Sequence, residues 1–535
     1  MSQVMTPPRP LEGIALALLT LALSMATFMQ VLDTTIANVA IPTIAGNLGA
    51  SSSQGTWVIT SFGVANAISL PLTGWLAKRF GEVKLFLWST ALFVMASWLC
   101  GMAQSLELLI LFRVLQGLVA GPMIPLSQSL LLSSYPPKKR GMALSLWSMT
   151  VIVAPIFGPI LGGWISDNYH WGWIFFINVP LGVVVFFLCT RMLRGRETAT
   201  QRNPIDLVGL SLLVLGVGAL QLMLDRGKEL DWFASSEVVV LAIVAVVGLA
   251  FLIVWELGDK HPIIDLSLFK HRNFAIGVGC ISLAYMLYFG TIVLLPQLLQ
   301  TQLGYTATWA GLAAASVGIL PVILSPIIGK NAQRLDMRLL VTFSFLVYAA
   351  CFYARSFFTV QMDIAAVVWP QFLQGLAVAC FFMPLTTISF SGLKPHQLAS
   401  ASSLSNFLRT LSGSIGASII NTLWERREAV HHETLTAAIN PYNPLSQQAL
   451  HSLQQAGMSE AQGAGYLTRE ITRQAFVMGS NEIFYGAAGL FILMIGFIWL
   501  AKPPFHAGGG AGAGNTRGLL LNHQGAADKP PSYCH

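Results

Sequence analysis

Charge is what this chain has least of. Among 535 residues there are 30 Lys and Arg and 23 Asp and Glu, so charged residues make up 10%, against roughly 25% in an ordinary soluble domain. So few charges cannot solvate a soluble chain of this length, and a reading as three or four soluble domains fails. Cysteine is also scarce. Cys100, Cys189, Cys280, Cys351 and Cys380 lie inside apolar runs and Cys534 lies in the tail. With no CxxC pair and no Cys/His cluster, neither a zinc site nor a disulfide framework is indicated, and a small apolar core residue is the expected role of each. No G-x-x-x-x-G-K-[ST] occurs, because Gly329-Lys330 is followed by Asn331. ATP is therefore not expected as the energy source within this chain. HHETL (431–435) lacks the second His of a zinc-protease helix, and no G-x-S-x-G elbow exists. No enzyme, cofactor or metal is expected.

What is present in abundance is apolar sequence. Hydrophobic residues make up 54%, the mean hydropathy is +0.66, and the apolar residues come in runs long enough to cross a bilayer. Fourteen such runs fall at about 14–40, 55–77, 85–103, 106–132, 142–165, 173–190, 206–224, 236–256, 274–299, 309–329, 339–358, 364–390, 399–422 and 481–501. The first has no small-residue cleavage site at signal-peptide distance and is expected to stay as a span. The net charge of +7 is a topology signal once it is placed. One set of alternate loops holds Lys78, Arg79, Lys84, Lys138, Lys139, Arg140, Arg191, Arg194, Arg196, Arg202, Lys260, Lys270, Arg272, Lys330, Arg334, Arg338 and Lys394. The other holds only Arg226, Lys228, Arg355, Arg426, Arg427, Arg469 and Arg473. The richer set is expected to be cytoplasmic, with both termini. Residues 424–479 form a polar outer loop with Asn/Pro turns and helix-like stretches, and the tail from about 503 is Gly-rich and expected to be disordered.

An internal repeat organises these runs. Gln116-Gly117-Leu118 matches Gln374-Gly375-Leu376 at an offset of 258, and Pro71, Gly74 and Arg79 match Pro326, Gly329 and Arg334 at an offset of 255. A parallel repeat in a membrane protein marks a transporter of two six-helix halves around a midplane site. The offset spans eight runs, so two are inserted between the halves. The expected organisation is a cytoplasmic N-terminus (1–13), a first bundle (14–190), linkers with two inserted helices (191–272, helices about 206–256), a second bundle (273–502) and the tail (503–535).

Against this background a few residues stand out. Asp33 is the one acid well inside a run, where a charge costs about 3 kcal/mol on insertion scales. Such a carboxylate is either paired or protonated part of the time, as a proton carrier requires, or else caps a span end at the interface. Arg113, inside the fourth run, is its natural partner or else snorkels to the cytoplasm, and Gln116 lies one turn along the same face. Arg409 is the second intramembrane cation; it serves the same role in the second half or attracts anionic substrates. In APIFGPILGG (154–163), Pro155 and Pro159 bend the helix and Gly158, Gly162 and Gly163 permit close backbone approach. Gly74, Lys78, Arg79 and Gly81 form a Gly-bounded basic turn that reads as a hinge clamp. Gln30, Asn38, Trp57, Asn66, Gln116, Gln128, Tyr285, Tyr288, Gln297 and Asn406 are candidate pocket groups, though each alone also fits interhelical hydrogen bonding. With 31 Phe and 18 Met they suggest an adaptable apolar cavity.

These segments resemble the major facilitator superfamily, and within it the fourteen-span drug/proton antiporter branch. LDTTIANVAIP (32–42) is similar to that branch's first-span motif, whose Asp couples to protons and falls on Asp33. LFRVLQG (111–117) is similar to the fourth-span motif, whose Arg falls on Arg113. APIFGPILGG resembles the antiporter motif, and WGWIFFINVPLG (171–182) the sixth-span signature, with Gly172 where Arg is common. In the turn after the second span, Lys78 stands where Asp is usual, so the clamp there must be built differently. The resemblance extends to about residue 506. It implies an all-α integral membrane protein of fourteen helices that exports hydrophobic or amphipathic toxic compounds across the bacterial inner membrane, driven by the proton gradient. It also implies a tripartite pump with a periplasmic adaptor and an outer-membrane channel. The alternative is a major facilitator transporter or channel of narrower substrate range, without an adaptor.

Overall fold

The computed structural model describes residues 11–505 except 51, 56, 137, 138, 202–205, 229, 260, 261, 332–334 and 441. Lys138, Arg202, Lys260, Arg334, the first ten residues and the tail from 506 lie outside the described residues. The apolar runs are helical, because a helix satisfies its own backbone where lipid supplies no partner. Fourteen long helices result: α1 Gly13–Asn47, α2 Trp57–Phe80, α3 Glu82–Gly101, α4 Leu106–Ser134, α5 Arg140–Asn168, α6 Trp173–Met192, α7 Leu207–Arg226, α8 Ser236–Gly258, α9 Arg272–Gln302, α10 Trp309–Asn331, α11 Met337–Arg355, α12 Ile364–Ser389, α13 Leu398–Ala437 and α14 Glu460–Ile498. Among the described residues, twelve are long and apolar enough to cross a membrane by length and composition. The other two, α5 and α13, have 29 and 40 residues and pack lengthwise against α1 and α9. α13 is the more polar of the two, with Ser400, Ser402, Ser403, Ser405, Ser412, Ser414 and Ser418 along its length.

The repeat is visible as contacts. A Cβ on Gly117 would lie 2.5 Å from the Phe62 carbonyl oxygen, and one on Gly375 would lie 2.6 Å from that of Val317. Both pairs are repeat equivalents, so α4 crosses α2 as α12 crosses α10. Between the halves, a Cβ on Gly74 (α2) would meet Ser400 Oγ (α13) at 2.9 Å, and one on Gly329 (α10) would meet Ser145 Oγ (α5) at 2.6 Å. These are again equivalent, and they shut the bundle at the face that carries the basic loops. Ser403 adds a bond to the Leu70 carbonyl at 2.6 Å. The expected two halves of six helices, with α7 and α8 inserted, account for this arrangement. The inserted α7 packs on α8, α2 and α13, with Gln221 donating to Ser414 at 3.3 Å and Lys228 paired to Glu425 at 2.8 Å.

The basic turn is clamped by the segment after α6. Gly81 has φ +91, and the Glu197 carboxylate accepts from the Val83 and Lys84 amides at 3.0 and 2.9 Å, capping α3 from outside its own sequence. Glu82 N donates to Thr198 Oγ1 at 3.0 Å, and Gln201 N to the Lys78 carbonyl at 2.8 Å. Arg79 lies over the Trp75 ring at 5.4 Å.

The polar segment 424–479 is less a loop than an extension of two spans. α13 runs on to Ala437 and α14 begins at Glu460, with a short helix Pro444–Gln455 at the tip. Trp424 Nε1 donates to the Phe476 carbonyl at 2.9 Å, and Glu482 pairs with Arg427 and, at 3.1 Å, with His431. At its base Arg473 Nε donates to the Gln302 carbonyl at 2.7 Å. The result is a helical hairpin standing on the face opposite the basic loops.

Candidate functional site

Asp33 and Arg113 are both 0% exposed, and α1 and α4 bring them together: Arg113 Nη1 lies 2.5 Å from Asp33 Oδ2. The other carboxylate oxygen accepts from Gln116 Nε2 at 3.0 Å and Asn178 Nδ2 at 2.8 Å. The acid thus accepts three bonds, all from side chains of the first bundle. Arg113 is held independently of it. Its Nε donates to the Val58 carbonyl at 3.0 Å and Nη1 to Gln116 Oε1 at 2.7 Å, with the rings of Phe62 and Phe175 at 4.2 and 5.4 Å. Gln116 also donates to Ser97 at 2.7 Å. A carboxylate buried in this way is tolerable because its charge is matched and both of its oxygens have donors.

The Gly-rich face of α5 sets where Asp33 sits. A Cβ on Gly158 would fall 2.1 Å from Thr35 Oγ1, and one on Gly162 would fall 2.7 Å from the Ile36 carbonyl oxygen. Only hydrogen at those two positions lets α5 touch the α1 backbone two and three residues past the acid. Pro155 and Gly163 are half-buried; the side chain of Pro159, like that of Asn38, lies outside what the structure describes.

The second half holds a different arrangement. Arg355 is 1% exposed and donates to the side-chain oxygens of Gln371 and Gln374, with the rings of Phe352 and Phe484 at 5.2 and 5.9 Å. At the repeat offset of 258 these three positions correspond to Ser97, Arg113 and Gln116. The guanidinium has moved from the fourth helix of the repeat to the third, and no carboxylate accompanies it among the described residues. The sequence had placed Arg355 in an outer loop; it is instead a buried core cation. Arg409 is likewise buried, near the Tyr285 and Phe382 rings at 5.2 and 5.7 Å.

The remaining candidate polar groups divide by location. Gln128 joins the halves, accepting from Ser402 Oγ at 2.5 Å and Asn406 Nδ2 at 3.1 Å. Gln30 donates to Asn66 at 3.4 Å, and Gln116 is used up in the acid's network. Trp57 sits at the hairpin-side rim under Arg226, 5.8 Å away, and Gln297 at the turn that ends α9. Tyr285 and Tyr288 lie side by side at 6.3 Å on α9. Sequence reasoning missed Asn178 and Ser97. Each is a polar residue in an apolar run, and Asn178 stands within the sixth-span segment singled out above. Two further acids, Glu82 and Glu256, are buried at helix ends; Glu82 accepts from Ser129 at 2.7 Å.

A bundle of two repeated six-helix halves, with a sealed acid–guanidinium pair in one of them, defines a membrane transporter, and the comparisons agree. Residues 23–417 match the Major Facilitator Superfamily, and the chain belongs to that family. It is 68% identical over 509 residues to the Multidrug export protein EmrB of Escherichia coli (strain K12), covering 95% of this chain and 99% of that one. It is 61% identical over 501 residues to the Fatty acid resistance protein FarB of Neisseria gonorrhoeae, covering 94% and 99%. In fold it is similar to the crystal structure of the human organic anion transporter MFSD10, with a TM-score of 0.52 at 12% identity, over 91% of this chain and 100% of that one.

Proposed function

We propose that this chain is a proton-coupled multidrug exporter of the bacterial inner membrane, with the basic face and both termini in the cytoplasm. The observation that carries the reading is the Asp33–Arg113 pair, buried in a chain 68% identical to a protein named for multidrug export. Asp33 has two states: charged and paired, or protonated and neutral. Arg113 does not deprotonate, and its bonds to Val58 and Gln116 and its two ring contacts keep it in place when the acid takes a proton. The pair is therefore switched by the proton alone. Protonation removes the attraction that draws α1 to α4, and the Gly158–Gly162 face of α5 carries the change along α1. For antiport, drug and proton must each weaken the other's binding, and by linkage they do so equally. The test is accumulation of a fluorescent neutral drug in everted membrane vesicles. Uptake driven by an imposed proton gradient, and lost on its collapse, is expected; uptake indifferent to the gradient overturns the coupling.

The hairpin fits a role in assembly with an EmrA-type periplasmic adaptor and, through it, a TolC-type outer-membrane channel. Its tip presents Tyr442, 94% exposed, and Leu445, 74% exposed, two apolar side chains available to a partner. One labelling experiment examines both orientation and contact, in a chain with Cys534 replaced by Ser. In spheroplasts an impermeant maleimide should reach a Cys at Tyr442 and not one at Arg194. Co-expressed adaptor should protect the Tyr442 position. The reverse labelling pattern rejects the orientation, and unprotected labelling rejects the tip as the contact.

A further inference from the structure

Arg409 is the one buried arginine in the described bundle that no oxygen atom holds. It lies on α13 one helical turn beyond Asn406, the residue that joins Gln128 of the first half. It is 5% exposed, and its Nε is buried without an acceptor. Among the described residues its guanidinium makes no ion pair and no hydrogen bond. Arg113 has Asp33, and Arg355 has two amide oxygens; Arg409 has only ring faces. Tyr285 and Phe382 flank it and meet edge to face at 6.1 Å, and Phe289 stacks on Tyr285 at 5.5 Å. Gly413, one turn further, lets the Tyr285 ring pack directly on α13, since a Cβ there would come within 2.8 Å of it.

A buried guanidinium cannot shed its charge, and ring faces return only part of the lost hydration. A charge left in that condition is stabilised by an anion that brings its own apolar surface. We infer that Arg409, with Tyr285 and Phe382, is a binding site for amphipathic monoanions: an ionised acid on the guanidinium and an apolar body against Tyr285, Phe289 and Phe382. The Asp33–Arg113 pair is neutral as a unit, whereas Arg409 places an uncompensated positive charge one turn from the Gln128–Asn406 contact between the halves. The site selects acids over cations of equal size. This assignment rests on the export reading above and names its substrate class.

The probes are dansyl-undecanoic acid and its methyl ester, which differ by one charge. Binding to the purified full-length protein is followed by fluorescence at neutral pH. The wild type should bind the acid about tenfold more tightly than the ester, the effect of one charge-assisted contact. Arg409→Gln should bring the acid down to the ester's affinity and leave the ester unchanged. Arg409→Lys, which keeps the charge and loses the fork, should retain part of the preference. The inference is overturned if the wild type shows no preference, if Arg409→Gln keeps it, or if that variant weakens both probes equally. Should Arg409→Gln fail to fold, complete loss of the preference in a folded Arg409→Lys overturns it as well. A neutral drug exported by the wild type without any acid preference removes this site alone. An acid preference without gradient-driven export removes the transport reading alone.

Discussion

Asp33→Asn is expected to reduce gradient-driven export to the level of membranes without the protein. The reason is more than the loss of a titratable proton. Both carboxylate oxygens face donors: Arg113 on one side, Gln116 and Asn178 on the other. An asparagine must turn its NH2 toward one of these groups, and Arg113 is left as a buried cation without its counter-charge. Breaking such a pair costs about 3–5 kcal/mol, so the single variant should also melt earlier. The double variant Asp33→Asn, Arg113→Gln removes both charges and should recover most of that stability while remaining inactive. Thermal melting and vesicle transport on the same preparations separate the two effects. Export by the stable double variant, still driven by the gradient, would mean that another group carries the proton.

Gly158→Leu should be nearly as damaging without touching a charge. Its side chain would have to occupy the space of Thr35 Oγ1 and the Ile36 amide, and backbones in contact cannot yield as side chains do. Overpacking of this kind costs typically about 1–3 kcal/mol. The larger consequence is geometric: pushing α1 off α5 moves Asp33 relative to Arg113, Gln116 and Asn178, which belong to other helices. Export should fall by more than about tenfold, since displacements near 1 Å are enough to degrade a positioned site. Gly279→Leu is the control, because a Cβ there meets nothing within 4 Å. Full activity in Gly158→Leu would show that the α1–α5 contact has no part in the cycle.

How much of this was legible beforehand follows from what each feature costs. A charge within an apolar run is expensive, so Asp33 and Arg113 could be picked out and paired from sequence. The repeat was readable from Gln116-Gly117 and Gly74 because a glycine needed for backbone contact tolerates no substitute at equivalent crossings. Amides carry a smaller penalty than charges, and although Asn178 lies in the sixth-span segment, nothing in that run announced its bond to Asp33. Arg355 misled for another reason. It ends α11, where an arginine ordinarily reaches water, and is covered by Phe484 of α14, a neighbour remote in sequence. The polar segment after 424 was read as a loop because its composition changes where the lipid ends. The helical period does not change there, and α13 simply continues to Ala437.

That continuity makes α13 a lever. The residues bearing Asn406 and Arg409 and those that carry the hairpin belong to one unbroken helix, which α14 braces through Trp424 and Glu482. The portion beyond about residue 422 adds roughly 22 Å at 1.5 Å per residue. If the second half tilts by about 15°, a rotation of the size seen in domain switches, the end of that arm sweeps about 6 Å. Whatever is fastened to the tip is then moved once per transport cycle, in step with the opening and closing of the bundle below.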